Sequence, residues 1–443
     1  MTSVRNKLAL ASLFHLLMGA AASAQTASQQ GTQSIGATAS TGQGQVQGVR
    51  SDADADHGGV RLSESAVLHL GLGTETGYDT NVFFDKVNPV ASPIVRVVPA
   101  FKLTNGHDWD NGTNPQTYYR LGAELLYRQY ISDNEFVKKQ NAFNPTIDGM
   151  LRFGSSQRSN VEITERFGRY LEAPYGPSSG NIDRIENLAG IRLSLVPGGG
   201  RFEFKLGYTN LINRFLNDQL KFANNMAHDV TLDVSWKWFP KTSVFAQVSQ
   251  GFVGYSRDQV NTGAPREDSF PLRTLAGLRG LLTDKLAMNI GVGYANAFYQ
   301  GAAAQSTGFD NVAMAVEFSY APSEFGETIL GYRHEIRNSP VIGDFYTVDS
   351  PYLNVRWMVG QRLNITGFAR YEARTFKGPA LVRNDNFVQS GVTLDLFITK
   401  WLYTGANYTN TINQSDSGLL SNPNAPGFDY VKHLILFRLG LTY

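Results

Sequence analysis

The sequence predicts an all-β fold, a transmembrane outer-membrane antiparallel β-barrel of about 18 strands after a disordered N-terminal leader. Three observations predict it. From Ala66 onward, segments of roughly 10 to 15 residues alternate large apolar with polar side chains. The chain has 44 glycines, 27 phenylalanines, 20 tyrosines and no cysteine. Beyond the N-terminal region it lacks the apolar run of about 18 residues that a membrane-spanning helix requires.

The first 63 residues are predicted to lie outside the barrel. Two basic residues precede a short apolar segment, 8–18, and the small residues of a signal peptidase site follow at 22–24. We therefore expect residues 1–24 to form a cleaved signal peptide. Residues 25–63 are mostly Gln, Gly, Ser, Ala and Thr, and such a segment cannot bury enough apolar surface to fold. It is predicted to be a disordered periplasmic leader, with the barrel at 64–443.

The final strand, 430–443, shows the alternation clearly. Ile435, Phe437, Leu439 and Leu441 share one face, and the sequence ends on the aromatic Tyr443. This ending resembles the C-terminal targeting signal of bacterial outer-membrane barrels. An edge strand with unpaired N–H and C=O groups is costly or sticky, so the last strand is expected to pair with the first and close the barrel. The predicted location is the outer membrane of a Gram-negative bacterium.

Short turns alternate with longer polar loops along the predicted strands. In outer-membrane barrels the short turns face the periplasm and the longer loops face outside. Aromatic residues flank the short turns, where amphipathic rings form an interfacial girdle, although β propensity alone also supplies aromatic residues to strands. The predicted girdle consists of Trp236, Trp238, Trp357, Trp401, Tyr403 and Tyr443.

The polar faces are predicted to line an aqueous lumen, because a barrel of about 18 strands is too wide for side chains to fill. The predicted lumen-lining residues lie on three neighbouring strands and are Arg333, Glu335, Arg337, Arg356, Arg370, Glu372 and Arg374. Two interpretations are open: a charged stripe that guides a hydrated, anionic solute, or a polar wall whose charges pair across strands. No loop is predicted to be long enough to fold inward as a plug.

The sequence predicts neither an enzyme nor a cofactor or metal site. The histidines that follow the signal peptide do not have the spacing of metal ligands. The glycines of 71–77 imitate a dinucleotide-binding loop, but they lie within a predicted strand with no helix after it. A formal net charge of +1 does not indicate a nucleic-acid partner.

Two short motifs resemble a known family. Residues 71–83, which end in Tyr-Asp-Thr-Asn-Val-Phe, resemble the opening of an outer-membrane β-barrel porin family associated with exopolysaccharide export clusters. The region from Tyr408 through 415–417 to the final strand is similar to the end of that family. One departure is visible, because Asn413 and Gln414 stand where the family often has an arginine.

The resemblance implies a pore that translocates a secreted polysaccharide. It also implies partners: the polysaccharide chain, a periplasmic polysaccharide export protein and an inner-membrane chain-length regulator. Outer-membrane lipid and the barrel assembly machinery are expected partners of any such barrel. Two alternatives remain, a general diffusion porin for small hydrophilic solutes and a structural or adhesive surface barrel. The porin would require a loop folded inward as a constriction, and the third outer loop, 171–182, is short for that role.

Overall fold

The computed structural model describes residues 59–63, 66–105, 117–155, 159–172, 182–256, 267–299, 312–338, 345–378, 381–416 and 428–443. Most of the predicted signal peptide and leader, 1–58, therefore lies outside the described residues. Within the described ranges, nineteen strands form one antiparallel sheet. The strands are β1 Val60–Ser63, β2 Ala66–Asp79, β3 Ser92–Thr104, β4 Thr117–Tyr130, β5 Ala142–Ser155, β6 Ser159–Glu172, β7 Ile182–Leu195, β8 Phe202–Phe215, β9 Asn225–Phe239, β10 Thr242–Tyr255, β11 Leu272–Leu281, β12 Leu286–Asn296, β13 Val312–Ser323, β14 Gly326–Asn338, β15 Phe345–Val359, β16 Leu363–Gly378, β17 Leu381–Phe397, β18 Leu402–Asp416 and β19 Tyr430–Thr442.

Helical structure in these ranges is limited to three short elements. The helix α1 spans Glu135–Lys138 between β4 and β5, and short 3₁₀ helices span Gly198–Gly200 and Asp218–Ala223. No helix among the described residues is long and apolar enough to cross a membrane.

Strands β2 to β19 close into a ring of 18, as predicted. Each strand pairs with its sequence neighbour, and β19 pairs with β2 from Leu434 opposite Asp79 to Thr442 opposite Gly71. Tyr443 extends this seam, because its N–H and C=O exchange hydrogen bonds of 2.8 and 2.9 Å with Leu70. The seam removes both sheet edges, so the strands of the ring satisfy their backbone groups within the sheet.

The outer face of the ring is apolar. Every strand from β2 to β19 carries an exposed large apolar or aromatic side chain: Leu72, Phe101, Leu125, Ile147, Ile163, Ile191, Leu206, Leu232, Val248, Leu278, Ile290, Met314, Leu330, Leu353, Tyr371, Leu394, Tyr408 and Leu439. The residues between them point inward and include buried charged groups such as Glu75, Arg128, Glu372 and Arg438. A soluble barrel would have the opposite pattern, whereas hydrocarbon requires this one. The chain is therefore an outer-membrane β-barrel.

Both ends of the barrel sequence lie on the side of the short connections, such as the two residues between β9 and β10 or between β13 and β14. That side corresponds to the periplasm in barrels of this type. The predicted leader needs one correction. Val60–Ser63, placed in the disordered segment, form β1, which pairs with β2 next to the barrel seam. Val60 and Leu62 alternate with polar residues there, which suffices for a short added strand.

The connection between β2 and β3, segment 80–91, folds inward and packs along the inner wall. The sequence predicted no loop long enough to fold inward as a plug, and it did not predict this inward segment. Val82 and Phe83 are fully buried against Ile94, Tyr130 and Leu436, which lie on the inward faces of β3, β4 and β19. Burial of these apolar side chains in the barrel interior provides the driving force. The run of apolar residues at 82–84, within a loop, was the feature of the sequence that indicated this inward packing.

Polar contacts hold the base of this segment. The Asp79 carboxylate accepts hydrogen bonds from the Asn81 N–H at 3.1 Å and from the Tyr130 hydroxyl at 3.0 Å. It also pairs with Lys432 Nζ at 2.8 Å. Asn81 Nδ2 donates to the carbonyl of Val431 at 3.0 Å and ties the segment to β19. The Tyr-Asp-x-Asn-Val-Phe motif is therefore the anchor of the inward segment.

Candidate lumen site

The charged residues predicted for the lumen lie on inward faces of β14 to β16. Their positions follow from strand register, which places Glu335 opposite Val348 and Val348 opposite Arg374. Short side chains on β15, Val348 and Ser350, separate the long ones on β14 and β16. The arginines and glutamates of β14 and β16 can therefore reach each other across the strand between them.

Glu372 is the centre of this cluster. Its carboxylate lies 2.6 Å from Arg374 Nη2, 3.1 Å from Arg337 Nη1 and 3.4 Å from Arg370 Nε. Its side chain is 0% exposed, whereas Arg370 remains 31% exposed toward the lumen. A single buried carboxylate thus neutralises part of the charge of three arginines.

A second carboxylate, Glu335, extends the cluster to β11. Arg337 Nη2 lies 2.5 Å from Glu335 Oε1, and Arg273 Nη1 lies 3.8 Å from Glu335 Oε2. Arg333 is on the same face of β14, two residues from Glu335. The wall around β14 to β16 therefore holds more arginine than glutamate. Pairing across strands occurs, and the pairing leaves a surplus of positive charge.

The structure brings six of the seven predicted lumen residues together. Arg356 is the one set apart: it lies on the inward face of β15 but near the short-turn end, opposite Glu327 of β14. The spacing of the sequence places Arg356 on the inward face correctly. Its distance from the other six residues follows from the register between β14 and β15, which spacing does not give.

Tyr352 lies beside these arginines and was not predicted. It is paired in register with Arg370, and the Arg333 guanidinium lies 5.1 Å from the centroid of its ring. Its hydroxyl donates a 2.6 Å hydrogen bond to Glu317 of β13, so the ring crosses β14. Gly331 permits this crossing, because a Cβ there would lie 2.1 Å from Tyr352 Cζ.

A second chain of buried ion pairs crosses the barrel seam, and the sequence did not predict it. Glu75 of β2 contacts Arg96 of β3 at 3.4 Å and Arg438 of β19 at 3.1 Å. Arg438 Nη1 continues to Asp395 of β17 at 3.0 Å. The alternation of the final strand puts Arg438 between outward apolar residues and therefore on the inward face. The sequence thus indicated the position of Arg438, although not its partners. Its partners come from strands far away in the sequence.

The predicted girdle residues separate into three groups. Trp236, Trp238, Trp401 and Tyr443 are exposed on the outer side near the short turns. Trp357 is partly buried and donates from Nε1 to Thr328 Oγ1 at 3.3 Å. The prediction that Tyr403 belongs to the girdle is wrong, because its side chain is buried on the inward face against Val98.

Tyr403 turns inward because glycine makes room for its ring. A Cβ on Gly440, its register partner on β19, would lie 2.1 Å from Tyr403 Cζ. Only the register between β18 and β19 reveals this notch.

Two tyrosine–histidine pairs lie on the outer face toward the long loops. The Tyr208 hydroxyl lies 2.8 Å from His228 Nδ1, and the Tyr408 hydroxyl lies 2.9 Å from His433 Nδ1. Each pair spans neighbouring strands with the rings stacked. The repeated sequence Tyr-Thr-Asn-x-Ile-Asn, at 208–213 and 408–413, was the signal for them. Polar aromatic side chains therefore mark this end of the barrel as well.

The described residues contain no group of three or more His, Asp or Glu side chains that could hold a metal ion. The histidines on β9, β14 and β19 are apart from one another, and His334 is bonded to Asp349 at 2.8 Å.

No protein-family model and no curated protein matches the chain. Similar solved structures include the siderophore receptor PirA from Pseudomonas aeruginosa, with 10% identity over 87% of this chain and 81% of that chain and a TM-score of 0.41. OccAB3 from Acinetobacter baumannii has 13% identity over 85% of this chain and 99% of that chain, with a TM-score of 0.44. The outer membrane protein OpdK from Pseudomonas aeruginosa has 13% identity, the same coverages and a TM-score of 0.43. These values say nothing about what passes through the barrel.

Proposed function

We propose that this barrel is a pore that translocates a secreted polysaccharide across the outer membrane. The observation that carries the proposal is the chemistry of the inner wall, where ionised side chains are bonded to one another beside aromatic rings. The Arg333 guanidinium lies 5.1 Å from the centroid of the Tyr352 ring, and both of these side chains are only partly buried. Sugar hydroxyls can exchange hydrogen bonds along such a wall, and sugar rings can pack on aromatic ones.

The sequence resemblance to a family associated with exopolysaccharide export clusters supports the same proposal. A periplasmic polysaccharide export protein would then deliver the chain at the short-turn mouth, supplied by an inner-membrane complex with a chain-length regulator. Outer-membrane lipid surrounds the barrel in this proposal, and the barrel assembly machinery inserts it.

A general diffusion porin for small hydrophilic solutes is the second candidate. The inward segment 80–91 favours it, because a loop that packs inside the barrel narrows the path, as a constriction in a porin would. The segment covers inward-facing residues of β3, β4 and β19. In the export proposal the same segment must leave room for a polymer or move aside.

The test is a clean deletion of the gene in its own host, with sugar polymer quantified separately in the medium and in the periplasm. Export predicts loss of polymer from the medium with retention of polymer or its precursors in the cell, reversed by restoring the gene. Unchanged secretion refutes it. A swelling assay on liposomes that contain the purified barrel then tests the porin candidate, which predicts rapid entry of small neutral sugars.

A further inference from the structure

We propose that the polymer is acidic and that Arg333, Tyr352 and Arg370 form the site that recognises its carboxylate sugars. We call these three residues the acidic-sugar platform. The inference rests on the proposed export function and narrows the substrate class. It is built on three observations: a fixed aromatic ring, two arginines beside it, and the surplus of positive charge around them.

The ring of Tyr352 is held in one place. Its hydroxyl donates to Glu317 Oε2 at 2.6 Å, and Gly331 provides the notch in which the ring crosses β14. An aromatic ring fixed on the inner wall of a pore presents an apolar surface among polar groups. Sugar rings have apolar faces of matching size, so a fixed ring favours a sugar over a simple ion.

The two arginines lie on strands that flank Tyr352. The Arg333 guanidinium is 5.1 Å from the ring centroid. Arg370, the register partner of Tyr352, donates from Nη2 to Gln389 Oε1 at 2.9 Å and keeps 31% of its side chain exposed. Its Nε lies 3.4 Å from the Glu372 carboxylate. Guanidinium groups bind carboxylates through paired N–H donors, so both arginines suit a uronic acid that packs on the ring.

The charges that surround the platform leave it positive. The arginines are Arg273, Arg333, Arg337, Arg370, Arg374 and, on β17, Arg383; the carboxylates are Glu317, Glu335, Glu372, Asp385 beside Arg383, and Asp229 near Arg273. Six arginines against five carboxylates leave a surplus of one positive charge. Glu335 is shared by Arg337 at 2.5 Å and Arg273 at 3.8 Å. Glu372 is shared by Arg374 at 2.6 Å, Arg337 at 3.1 Å and Arg370 at 3.4 Å, so two carboxylates serve these four arginines. Glu317 is bonded to the tyrosine hydroxyl. A passing anion would therefore meet a positive wall, whereas a neutral sugar would meet only the ring.

The test is binding of oligogalacturonate, compared with the neutral maltohexaose, to the purified full-length barrel in planar lipid bilayers. Current blockade reports binding, and resistance of the folded form to heating in detergent confirms folding for each variant. We expect oligogalacturonate to block the wild-type pore far more strongly than maltohexaose. Arg333→Gln and Arg370→Gln should each weaken this block about tenfold, the loss of one charge-assisted contact.

The matched control is Arg120→Gln. Arg120 lies on the inward face of β4, pairs with Asp148 at 2.9 Å and is 36% exposed, so it matches Arg370 in residue type, exposure and pairing with a carboxylate. It should leave the block unchanged. Tyr352→Phe keeps the ring and should retain most of the block, whereas Tyr352→Ala should lose it.

The inference is overturned if maltohexaose blocks as strongly as oligogalacturonate, or if both arginine variants behave like Arg120→Gln. It is also overturned if inorganic phosphate displaces oligogalacturonate at equal concentration, because the platform would then be a simple anion site. The outcome is separable from that for export. A deletion strain with normal secretion refutes export whatever the barrel binds, and a barrel indifferent to uronates refutes the platform even when secretion depends on the gene.

Discussion

Glu372 permits a direct test of the electrostatics of the inner wall. Replacing it with glutamine preserves the shape of the side chain and removes its charge. Three guanidinium groups, from Arg337, Arg370 and Arg374, would then lie within 3.4 Å of an uncharged group. The carboxylate is wholly buried, so water cannot take over its role without rearrangement of the cluster.

The expected loss of stability follows from the burial of these contacts. Removing one partner of a buried ion pair costs roughly 3–5 kcal/mol, because the remaining charge is left uncompensated. The contact with Arg370 contributes little to this, since that side chain is partly exposed and solvated pairs are worth about 1 kcal/mol or less. We therefore expect Glu372→Gln to lower the free energy of unfolding by about 3 kcal/mol.

The assay is urea unfolding of the barrel in lipid vesicles, followed by the fluorescence of its five tryptophans. The matched control is Glu203→Gln on β8. The Glu203 carboxylate lies 3.0 Å from Lys205 Nζ, and the Glu203 side chain is 30% exposed. That variant should lose less than about 1 kcal/mol. The double variant Glu372→Gln, Arg374→Gln should recover part of the loss. Equal effects of the two single variants would show that the cluster is solvated and the reasoning wrong.

Three further predictions concern the inward segment and the notch at Gly440 that holds the Tyr403 ring. Phe83→Ala removes a fully buried anchor worth about 3–5 kcal/mol and should raise single-channel conductance as segment 80–91 leaves the wall. Burial opposes ionisation of Asp429, but hydrogen bonds from Lys86 and from the Ser415 N–H hold the pKa of Asp429 below its ordinary 3.8. The Lys86–Asp429 bridge of 2.7 Å should therefore persist above pH 3.8 and be lost as the pH falls through the lowered value, which a spin label on segment 80–91 would report as increased mobility. Gly440→Val would place a Cβ 2.1 Å from Tyr403 Cζ and should reduce the heat-resistant folded form on electrophoresis.

Each of these has a control. Val87→Ala, at a position 79% exposed in the same segment, should leave conductance unchanged, and equal conductance changes would contradict the role of Phe83. A spin label at Val87→Cys is unique because the chain has no cysteine, and Asp429→Asn should make it mobile at neutral pH. Failure of that variant to change the mobility would rule out the bridge as the restraint. Gly149→Val, with nothing within 4 Å of its Cβ, should fold normally.

Much of the fold is predictable because a membrane barrel has only one periodicity. Alternation along the final strand places Arg438 inside and Phe437 outside, and the structure shows this division. The short turns and the pairing of the last strand with the first follow from the same pattern. The sequence motif at 78–83 was visible, but its meaning was not, because the burial of Val82 and Phe83 depends on side chains from strands distant in sequence.

The candidate site is less predictable because its contacts depend on register. Spacing within β14 and β16 groups Arg333, Glu335 and Arg337, and separately Arg370, Glu372 and Arg374. It cannot show that Arg337 reaches Glu372 over the short side chains of β15. Nor can it show that Gly331 lets the Tyr352 ring cross a strand, or that Gly440 turns Tyr403 inward. In each case a one-residue slip would change the partner.

The seam between β2 and β19 sets the order in which the molecule can be completed. Thr74 Oγ1 donates to the carbonyl of Leu439 at 3.3 Å across 365 positions of sequence. Contacts of such sequence separation form late, since the entropy of a very long loop must be lost first. Until then, β2 and β19 both present open edges that could pair with another chain. The yield of closed barrel therefore depends on two things: the β2 and β19 edges must not pair with other chains, and they must pair with each other.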